Sequence, residues 1–306
     1  MRITAHMEVQ HICDLGAELG EGPVWVARDA ALWFVNIKGR QLHRYDPATG
    51  ERRGWSAPEP PGFIVPVRGG GFIVGMSSGL YRFEAETGRF VHWVSVEPQL
   101  PNNRLNDGCV CADGTLWFGS MHDPETEASG ALYRLDESGR AVPLDSGYIV
   151  TNGPAFSPDG RVFYHTDSLQ RVVYAFDRPA PGIISAKRVF VRIEDGAGVP
   201  DGTTVDAEGC LWIALWGGWG VRRYSPSGEL LSTLRFPCAN VTKIAFGGDD
   251  LRTVYATTAW AGLSAVEREA QPLAGDLFRF RTDVPGLPSA EVALGFGPGN
   301  PVDPRT

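Results

Sequence analysis

An apolar run rich in aromatic residues recurs six times along this chain, at intervals of roughly 40 to 50 residues. The six runs begin at Leu32, Phe72, Leu116, Val162, Leu211 and Val254. Most are followed by a second run that alternates apolar and polar residues with a period of two, as at 42–45 and 277–280. Turn sequences such as Pro47-Ala48-Thr49-Gly50 end these second runs. Each unit is therefore predicted to be a small antiparallel meander, spaced as propeller blades are.

Six such units of about four strands each predict an all-β fold, a six-bladed β-propeller with a central metal site. Residues 1–306 are expected to form a single domain, with a Pro/Gly-rich tail from about residue 285 to residue 306. Within that tail, residues 290–294 could add one edge strand. Residues 7–13 are expected to pair with the last unit and close the ring. Helical heptads and β-α-β alternation are missing from the sequence.

The charge and composition of the sequence indicate which kinds of molecule the protein is expected to bind. The formal net charge is −8 and the sequence has no runs of Lys or Arg, which argues against nucleic acid and anionic membrane as partners. No apolar stretch opens the chain as a signal peptide would, and none is long enough to span a bilayer. The five cysteines are scattered without a CxxC motif. We therefore expect a cytoplasmic protein that acts on a small molecule, with no obligatory protein partner.

Oxygen-bearing side chains recur at one step of the repeat. Asn106, Asn152 and Asp201 each lie eight residues before a turn glycine, and Glu21 occupies a fourth, slightly looser copy. The three glycines are Gly114, Gly160 and Gly209. If the repeats are arranged radially, equivalent positions converge on the axis. The pattern therefore predicts a cation site assembled from separate blades.

Asn-Gly and Asp-Gly dipeptides also favour tight hairpin turns, and this simpler interpretation covers Asp107-Gly108, Asn152-Gly153 and Asp201-Gly202. Each repeat, however, already has its own turn glycine eight residues later, and Glu21 is a poor turn residue. A shared metal site is favoured for these reasons. Carboxylate and amide oxygens without cysteine suit Ca²⁺, Mg²⁺ or Mn²⁺ before a structural Zn²⁺.

These segments carry a family resemblance that extends from about Glu18 to Pro288. As an ordered set they resemble the signatures of the regucalcin/gluconolactonase (senescence marker protein) family, and two further segments, 119–123 and 214–218, are similar to bacterial sugar lactonases of the xylonolactonase and arabinolactonase types. The segments that carry the family resemblance are Leu19-Gly20-Glu21-Gly22-Pro23-Val24-Trp25, Asn103-Arg104-Leu105-Asn106-Asp107-Gly108, Thr151-Asn152-Gly153-Pro154 and Pro200-Asp201-Gly202.

The resemblance implies one divalent cation near the axis, held by Glu21, Asn152 and Asp201; Ca²⁺, Mn²⁺, Zn²⁺, Mg²⁺ and Fe²⁺ all remain open. Arg104 and Asn106 match substrate-orienting positions, with Asn106 close enough to the cation to hold a bound water. Asp201 matches the residue usually proposed as the general base. Two departures from the family pattern are Asn36, where an aspartate is common, and the loop at 124–129, which leaves sugar specificity open.

Three further side chains are candidates for the pocket. His122 and His165 follow the second strands of their blades, and each is equally well interpreted as a hydrogen-bonded histidine at a blade end. Trp216 could stack on a sugar ring, although most tryptophans in such a fold pack between blades. The sequence has no GxSxG motif to supply a serine nucleophile.

The sequence therefore predicts a metal-dependent lactonase that opens a sugar lactone to its aldonic acid. Two alternatives stay open at this point. One is a calcium-binding or ligand-binding propeller without physiological catalysis, and the other is a phosphotriesterase or arylesterase on the same scaffold. The second alternative would need a larger apolar pocket and often a histidine beside the metal.

Overall fold

The structure, a computed structural model, describes residues 7–293 and contains six four-stranded antiparallel sheets that form a six-bladed β-propeller. Blades I to III are built from β2 (Gly20–Val26), β3 (Ala31–Asn36), β4 (Gln41–Tyr45) and β5 (Arg52–Ser56); from β6 (Pro61–Pro66), β7 (Phe72–Met76), β8 (Gly79–Glu84) and β9 (Arg89–Ser95); and from β10 (Asn103–Val110), β11 (Leu116–His122), β12 (Gly130–Leu135) and β13 (Ala141–Tyr148).

Blades IV and V are built from β14 (Thr151–Phe156), β15 (Val162–Asp167), β16 (Val172–Ala180) and β17 (Ile183–Arg192), and from β18 (Val199–Val205), β19 (Leu211–Trp216), β20 (Gly220–Tyr224) and β21 (Leu230–Arg235). Blade VI combines β22 (Asn240–Gly247), β23 (Thr253–Ala259) and β24 (Leu277–Arg281) with β1 (Gln10–Cys13). A 3₁₀ turn (Ala27–Asp29) and one short helix, α1 (Ala265–Ala270), complete the elements of the described residues. None of the helices in this part of the chain is long and apolar enough to cross a membrane.

The first strand of the chain joins the last three strands in blade VI. Strand β1 pairs with β24 in antiparallel register, with Gln10 opposite Arg279 and His11 opposite Phe278. The predicted closure of the ring by residues 7–13 is therefore confirmed, with the strand beginning at Gln10. Closure of this kind removes two free sheet edges.

The apolar core is divided among the six contacts between neighbouring blades. Each contact holds one cluster of buried side chains, for example Trp33 with Ile64 between blades I and II, and Phe118 with Phe63 between blades II and III. The remaining clusters lie between III and IV, IV and V, V and VI, and VI and I. The innermost strands are buried along their length, whereas outer strands such as β21 alternate toward solvent. The apolar runs of the sequence therefore pack sheet against sheet around a central axis.

Each innermost strand carries a β-bulge near its start. The pairing register shifts between Glu21 and Val24, Leu105 and Gly108, Asn152 and Ala155, and Pro200 and Thr203, with comparable shifts in β6 and β22. The Asp107-Gly108, Asn152-Gly153 and Asp201-Gly202 dipeptides therefore lie inside strands and do not form hairpin turns. A bulge changes the direction of neighbouring side chains, and bulges are common next to functional sites.

The C-terminal segment of the described chain crosses the face of the ring at which the innermost strands end. Gly286 N donates to Leu251 O, and Ala293 N donates to Gly114 O, so the segment runs from blade VI to blade III. The edge strand expected at residues 290–294 is not formed: Val292 makes one isolated parallel bridge to Val67, and Leu294 lies outside the described residues. The prolines and the crossing path leave the segment without a neighbouring strand along which a ladder could continue.

Candidate functional site

Glu21 and Asp201 form a buried acidic pair on the axis. Glu21 lies in β2 of blade I and Asp201 in β18 of blade V, and their carboxyl groups are in hydrogen-bonding contact. Burial raises the pKa of Glu21 to about 7, and the nearby Asp107 charge adds to this effect. Burial together with the Glu21 charge raises the pKa of Asp201 well above its usual range. Two carboxyl groups in contact away from water cannot both stay ionised unless a cation compensates them.

Asn106 and Asn152 form an amide pair from blades III and IV. Asn106 Nδ2 donates to Asn152 Oδ1 at 2.9 Å and to Thr151 O at 2.7 Å. Asn152 Nδ2 in turn donates to Ser168 Oγ at 3.0 Å. Ser168 thereby orients the Asn152 amide.

Arg104 lies beside this amide pair and is almost completely buried. Its Nη1 donates to Asn106 Oδ1 at 2.5 Å, and its Nε donates to Asp123 Oδ1 at 2.5 Å. Asp123 also contacts Lys38 Nζ at 3.2 Å. Burial of Asp123 raises its pKa, but the two cations outweigh that effect and leave the pKa lowered. Arg104 is therefore held in a fixed orientation between Asn106 and the rim of the propeller.

A second charged pair lies at the axis, Lys243 with Asp107, and the sequence pattern did not predict it. Lys243 Nζ lies 2.5 Å from Asp107 Oδ1, and both side chains are buried. Burial lowers the pKa of Lys243, but the Asp107 and Glu21 carboxylates outweigh burial and leave that pKa raised. The available signal was a single lysine in the otherwise apolar and hydroxylic run 241–246; Asp107 was interpreted only as part of a motif.

The residues at the axis suit a divalent cation. Glu21, Asn152 and Asp201 offer only carboxylate and amide oxygens, the donors that hard divalent cations prefer. With Asp107 and Lys243 included, three carboxylates and one ammonium carry a formal charge of −2, which a divalent cation would neutralise. A second group, His11, Asp14 and Asp276, lies at the ring closure, where Asp276 already accepts the Leu15 and Gly16 amides. That group therefore serves the fold.

The three other side chains considered for the pocket, two histidines and one tryptophan, lie in environments that differ from one another. His165 is fully buried between blades III and IV against Tyr148 and does not reach the axis. His122 Nδ1 accepts the Thr126 and Glu127 amides and thus fixes the loop that follows β11. Trp216 ends β19 at the face of the candidate site, and its ring packs against the backbone at Gly262, 3.7 Å from where a Cβ would stand. Its contact with substrate stays a prediction.

Neither of two cavities is lined by Glu21, Asn152 or Asp201. One, of about 720 Å³, is on the flank of blades V and VI, where Arg223 and Arg281 are already paired with carboxylates. The other, of about 490 Å³, occupies the far end of the axial channel, and Lys243 and Cys109 are part of its lining. Convergence of buried polar groups, and not cavity size, marks the candidate site.

The fold and the site together define a closed six-bladed propeller whose innermost strands bring acidic and amide side chains together at its axis. The model of the family described as "SMP-30/Gluconolactonase/LRE-like region" matches residues 19–260. The chain belongs to this family, as the motifs predicted.

Several individual proteins are similar to this chain in sequence or in structure. The chain is 37% identical to 6-deoxy-6-sulfogluconolactonase from Pseudomonas putida, over 88% of this chain and 92% of the relative. It is 36% identical to L-arabinolactonase from Azospirillum brasilense, over 92% and 94%. Among solved structures, the calcium-binding protein regucalcin from Agrobacterium tumefaciens superposes with a TM-score of 0.90 at 27% identity, covering 95% of this chain and 98% of that one. Lactone-hydrolysing enzymes are thus among its relatives.

Proposed function

We propose that this protein hydrolyses a sugar lactone to the corresponding aldonic acid, with one divalent cation bound by Glu21, Asn152 and Asp201. The observation that carries the proposal is the arrangement of a buried carboxyl pair next to a fixed arginine and amide pair. The carboxyl pair supplies charge for a cation, and Arg104 with Asn106 supplies donors for a polar substrate.

Each residue has a separate role in this reaction. The bound cation would polarise the lactone carbonyl and stabilise the oxyanion that develops on it. Asp201 accepts a proton from the attacking water as the new C–O bond forms. The ring C–O bond then breaks, and the proton passes to the leaving alkoxide. Arg104 and Asn106 orient the substrate, and Trp216 is proposed to contact its ring.

The names of the relatives support a lactone as the substrate class, since two of them are named for a sulfogluconolactone and an arabinolactone. A five- or six-carbon aldonolactone is proposed for this chain. The cation is proposed from the oxygen donors and from the calcium-binding regucalcin structure, with Ca²⁺, Mn²⁺, Zn²⁺, Mg²⁺ and Fe²⁺ to be compared directly.

A cation-binding propeller without catalysis is the second candidate, and the calcium-binding regucalcin structure favours it. Arg104 argues for catalysis, because its fixed guanidinium group offers hydrogen-bond donors to a polar substrate and no oxygen ligand to a cation. The arylesterase alternative has less support: His165 lies between blades, and the described contacts of His122 Nδ1 are with its own loop.

A lactone panel tests the proposal. Protein loaded with each of the five cations is mixed with gluconolactone, xylonolactone or arabinolactone at neutral pH, and acid release is followed with and without chelator. Turnover above the spontaneous rate that disappears with chelator supports the proposal. Cation binding without turnover on any lactone would instead support the binding propeller. Asp159→Asn, in an exposed turn, serves as a matched control for variants of Asp201.

A further inference from the structure

An ion pair crosses the axis of the propeller. Lys243 belongs to β22 of blade VI, and Asp107 belongs to β10 of blade III. These two blades stand opposite each other in a ring of six, so the contact of 2.5 Å between Nζ and Oδ1 spans the axial channel. Most contacts between innermost strands join direct neighbours in the ring, and the contact of Glu21 with Asp201, between blades I and V, is another that does not.

The pair is fixed on both sides. Asp107 Oδ1 accepts the Gly108 amide at 2.8 Å, and Oδ2 accepts the Gly153 amide at 2.9 Å. The Lys243 stem packs on Gly202, where a Cβ would lie only 2.4 Å from Lys243 Cγ. The ammonium group is therefore held at the axis by Asp107 and by the packing of its stem on blade V.

The pair also forms a floor within the channel. The axial cavity of about 490 Å³ is lined by residues that follow the bulges, such as Val24, Ala155 and Thr203, and it reaches Lys243. Glu21 and Asp201 are not part of that lining. They lie nearer the strand starts, on the side where Arg104 reaches the rim.

The charge of Lys243 acts on the acidic pair above this floor. Lys243 packs on Gly202, the residue next to Asp201 in β18, so its charge lies close to the acidic pair and favours the ionised forms of both carboxyl groups. Because the two carboxyl groups lie in a region of low dielectric, a fixed cation nearby stabilises them together and opposes the entry of another cation.

We propose that Lys243 is an internal counter-ion of the metal centre, a positioning residue that holds the acidic pair together and limits the affinity of the site for divalent cations. This inference rests on the proposed function in one respect, that Glu21 and Asp201 are the ligands. The Lys243 and Asp107 charges cancel each other in the wild type, so the affinity is set by the remaining charge of −2.

A series of variants changes this charge in steps. Lys243→Met brings the formal charge to −3, Asp107→Asn brings it to −1, and both the double variant and Lys243→Arg keep it at −2. We expect Lys243→Met to bind Ca²⁺ on the order of tenfold more tightly than the wild type and Asp107→Asn on the order of tenfold more weakly. The double variant and Lys243→Arg should return near the wild-type affinity.

The experiment is calorimetric titration of Ca²⁺ alone, and of Mn²⁺ alone, into each chelator-treated protein at pH 8. The rise in Tm on metal addition is measured in parallel, and circular dichroism confirms that each variant is folded. Lys243→Met is expected to have a lower metal-free Tm than the wild type and a larger rise with metal. The charge-matched double variant keeps the series interpretable if Lys243→Met is too unstable to titrate.

Affinities that follow the order of charge support the inference. If Lys243 and Asp107 had a purely structural role, both single variants would bind the cations more weakly, and that result would overturn the inference. A wild type that binds neither Ca²⁺ nor Mn²⁺ would also overturn it. Lactone turnover by such a metal-free protein would still leave lactone hydrolysis standing. Conversely, if the cation affinities follow the order of charge but no lactone is hydrolysed, the proposed function is contradicted while the counter-ion role of Lys243 is retained.

Discussion

Asp201 combines two proposed roles in one side chain, since it is both a cation ligand and the base that accepts a proton. Asp201→Asn keeps an oxygen ligand and nearly the same shape but is not basic. We expect some cation binding to survive while lactone opening falls by roughly 10² to 10⁴ at saturating metal. The measurement is a metal titration with lactone opening as the readout.

Glu21→Gln is the matched comparison for that variant. Its loss should arise mainly from weaker cation binding, so excess cation should restore part of the activity. Full recovery of Asp201→Asn at high metal would contradict the role of Asp201 as a base and leave it as a ligand alone.

Arg104 is predicted to act on the substrate and not on the cation. Arg104→Ala removes the donor to Asn106 Oδ1 and should reduce kcat/KM by an amount equivalent to roughly 1.5 to 3 kcal/mol, with little loss of cation affinity. Arg178→Ala, which removes a partly buried arginine paired with Asp113 away from the axis, is the control. An unchanged kcat/KM on the best lactone would remove Arg104 from the site.

The axial residues divide into those that the repeat identified and those that it could not. Glu21, Asn152 and Asp201 stand at one step of a periodic pattern, and the contacts of Glu21 with Asp201 and of Asn106 with Asn152 agree with the convergence predicted from it. Their proposed roles stay predictions. Lys243 escaped notice because its partner lies 136 residues away, and no local pattern encodes a contact across the ring.

At the scale of single elements, the bulges decide which side chains reach the axis. Period-two patterns identified the strands, yet a bulge depends on how closely neighbouring strands approach. At Gly153, with φ of 49°, a Cβ would lie 2.7 Å from Thr203 N in the next blade. Glycine here is therefore required by the packing of blade IV against blade V as well as by backbone conformation.

Replacing that glycine tests this explanation. Gly50 has a φ of 75° and nothing within 4 Å of its Cβ position, so Gly50→Ala should cost only the conformational term, about 1 kcal/mol. Gly153→Ala adds a clash with backbone and should lower the free energy of unfolding by about 1 to 3 kcal/mol more. Urea denaturation measures both. Equal losses would show that strand approach does not constrain Gly153.

At the scale of the whole molecule, the fold and the site depend on different interactions. The six apolar clusters between blades contain none of the proposed ligands. Chelation should therefore abolish lactone opening while leaving the β-sheet circular dichroism spectrum largely unchanged. Loss of that spectrum on chelation would show that the cation holds the blades together.

The spacing of the repeats was enough to predict blade number and ring closure, because each blade is one local meander. The tail was predicted less well. Residues 290–294 have strand-like composition, but whether a strand forms depends on whether a partner edge is free, and Val67 offers only one bridge. Composition alone does not contain that information.

One contribution to the pH dependence of stability comes from a histidine that the fold buries, His165. Both ring nitrogens of His165 lack a hydrogen-bond partner among the described residues, and burial lowers the pKa of His165 to about 3. The unfolded chain protonates this ring near pH 6.5, whereas the folded protein does not until about pH 3. Protons therefore bind preferentially to the unfolded state in this window, and stability falls as the pH falls through it.

His165→Leu should flatten this dependence, because leucine fills a similar volume and takes up no proton. Between pH 6.5 and pH 4.5 the wild type should lose roughly 2 kcal/mol more unfolding free energy than the variant. Urea denaturation across that range measures the difference, with His92→Leu at an exposed ring as the control. If wild type and His165→Leu lose stability in parallel, protonation of His165 in the unfolded state does not govern the acid limit of this propeller, and the cause must be sought among the other groups that titrate between these pH values.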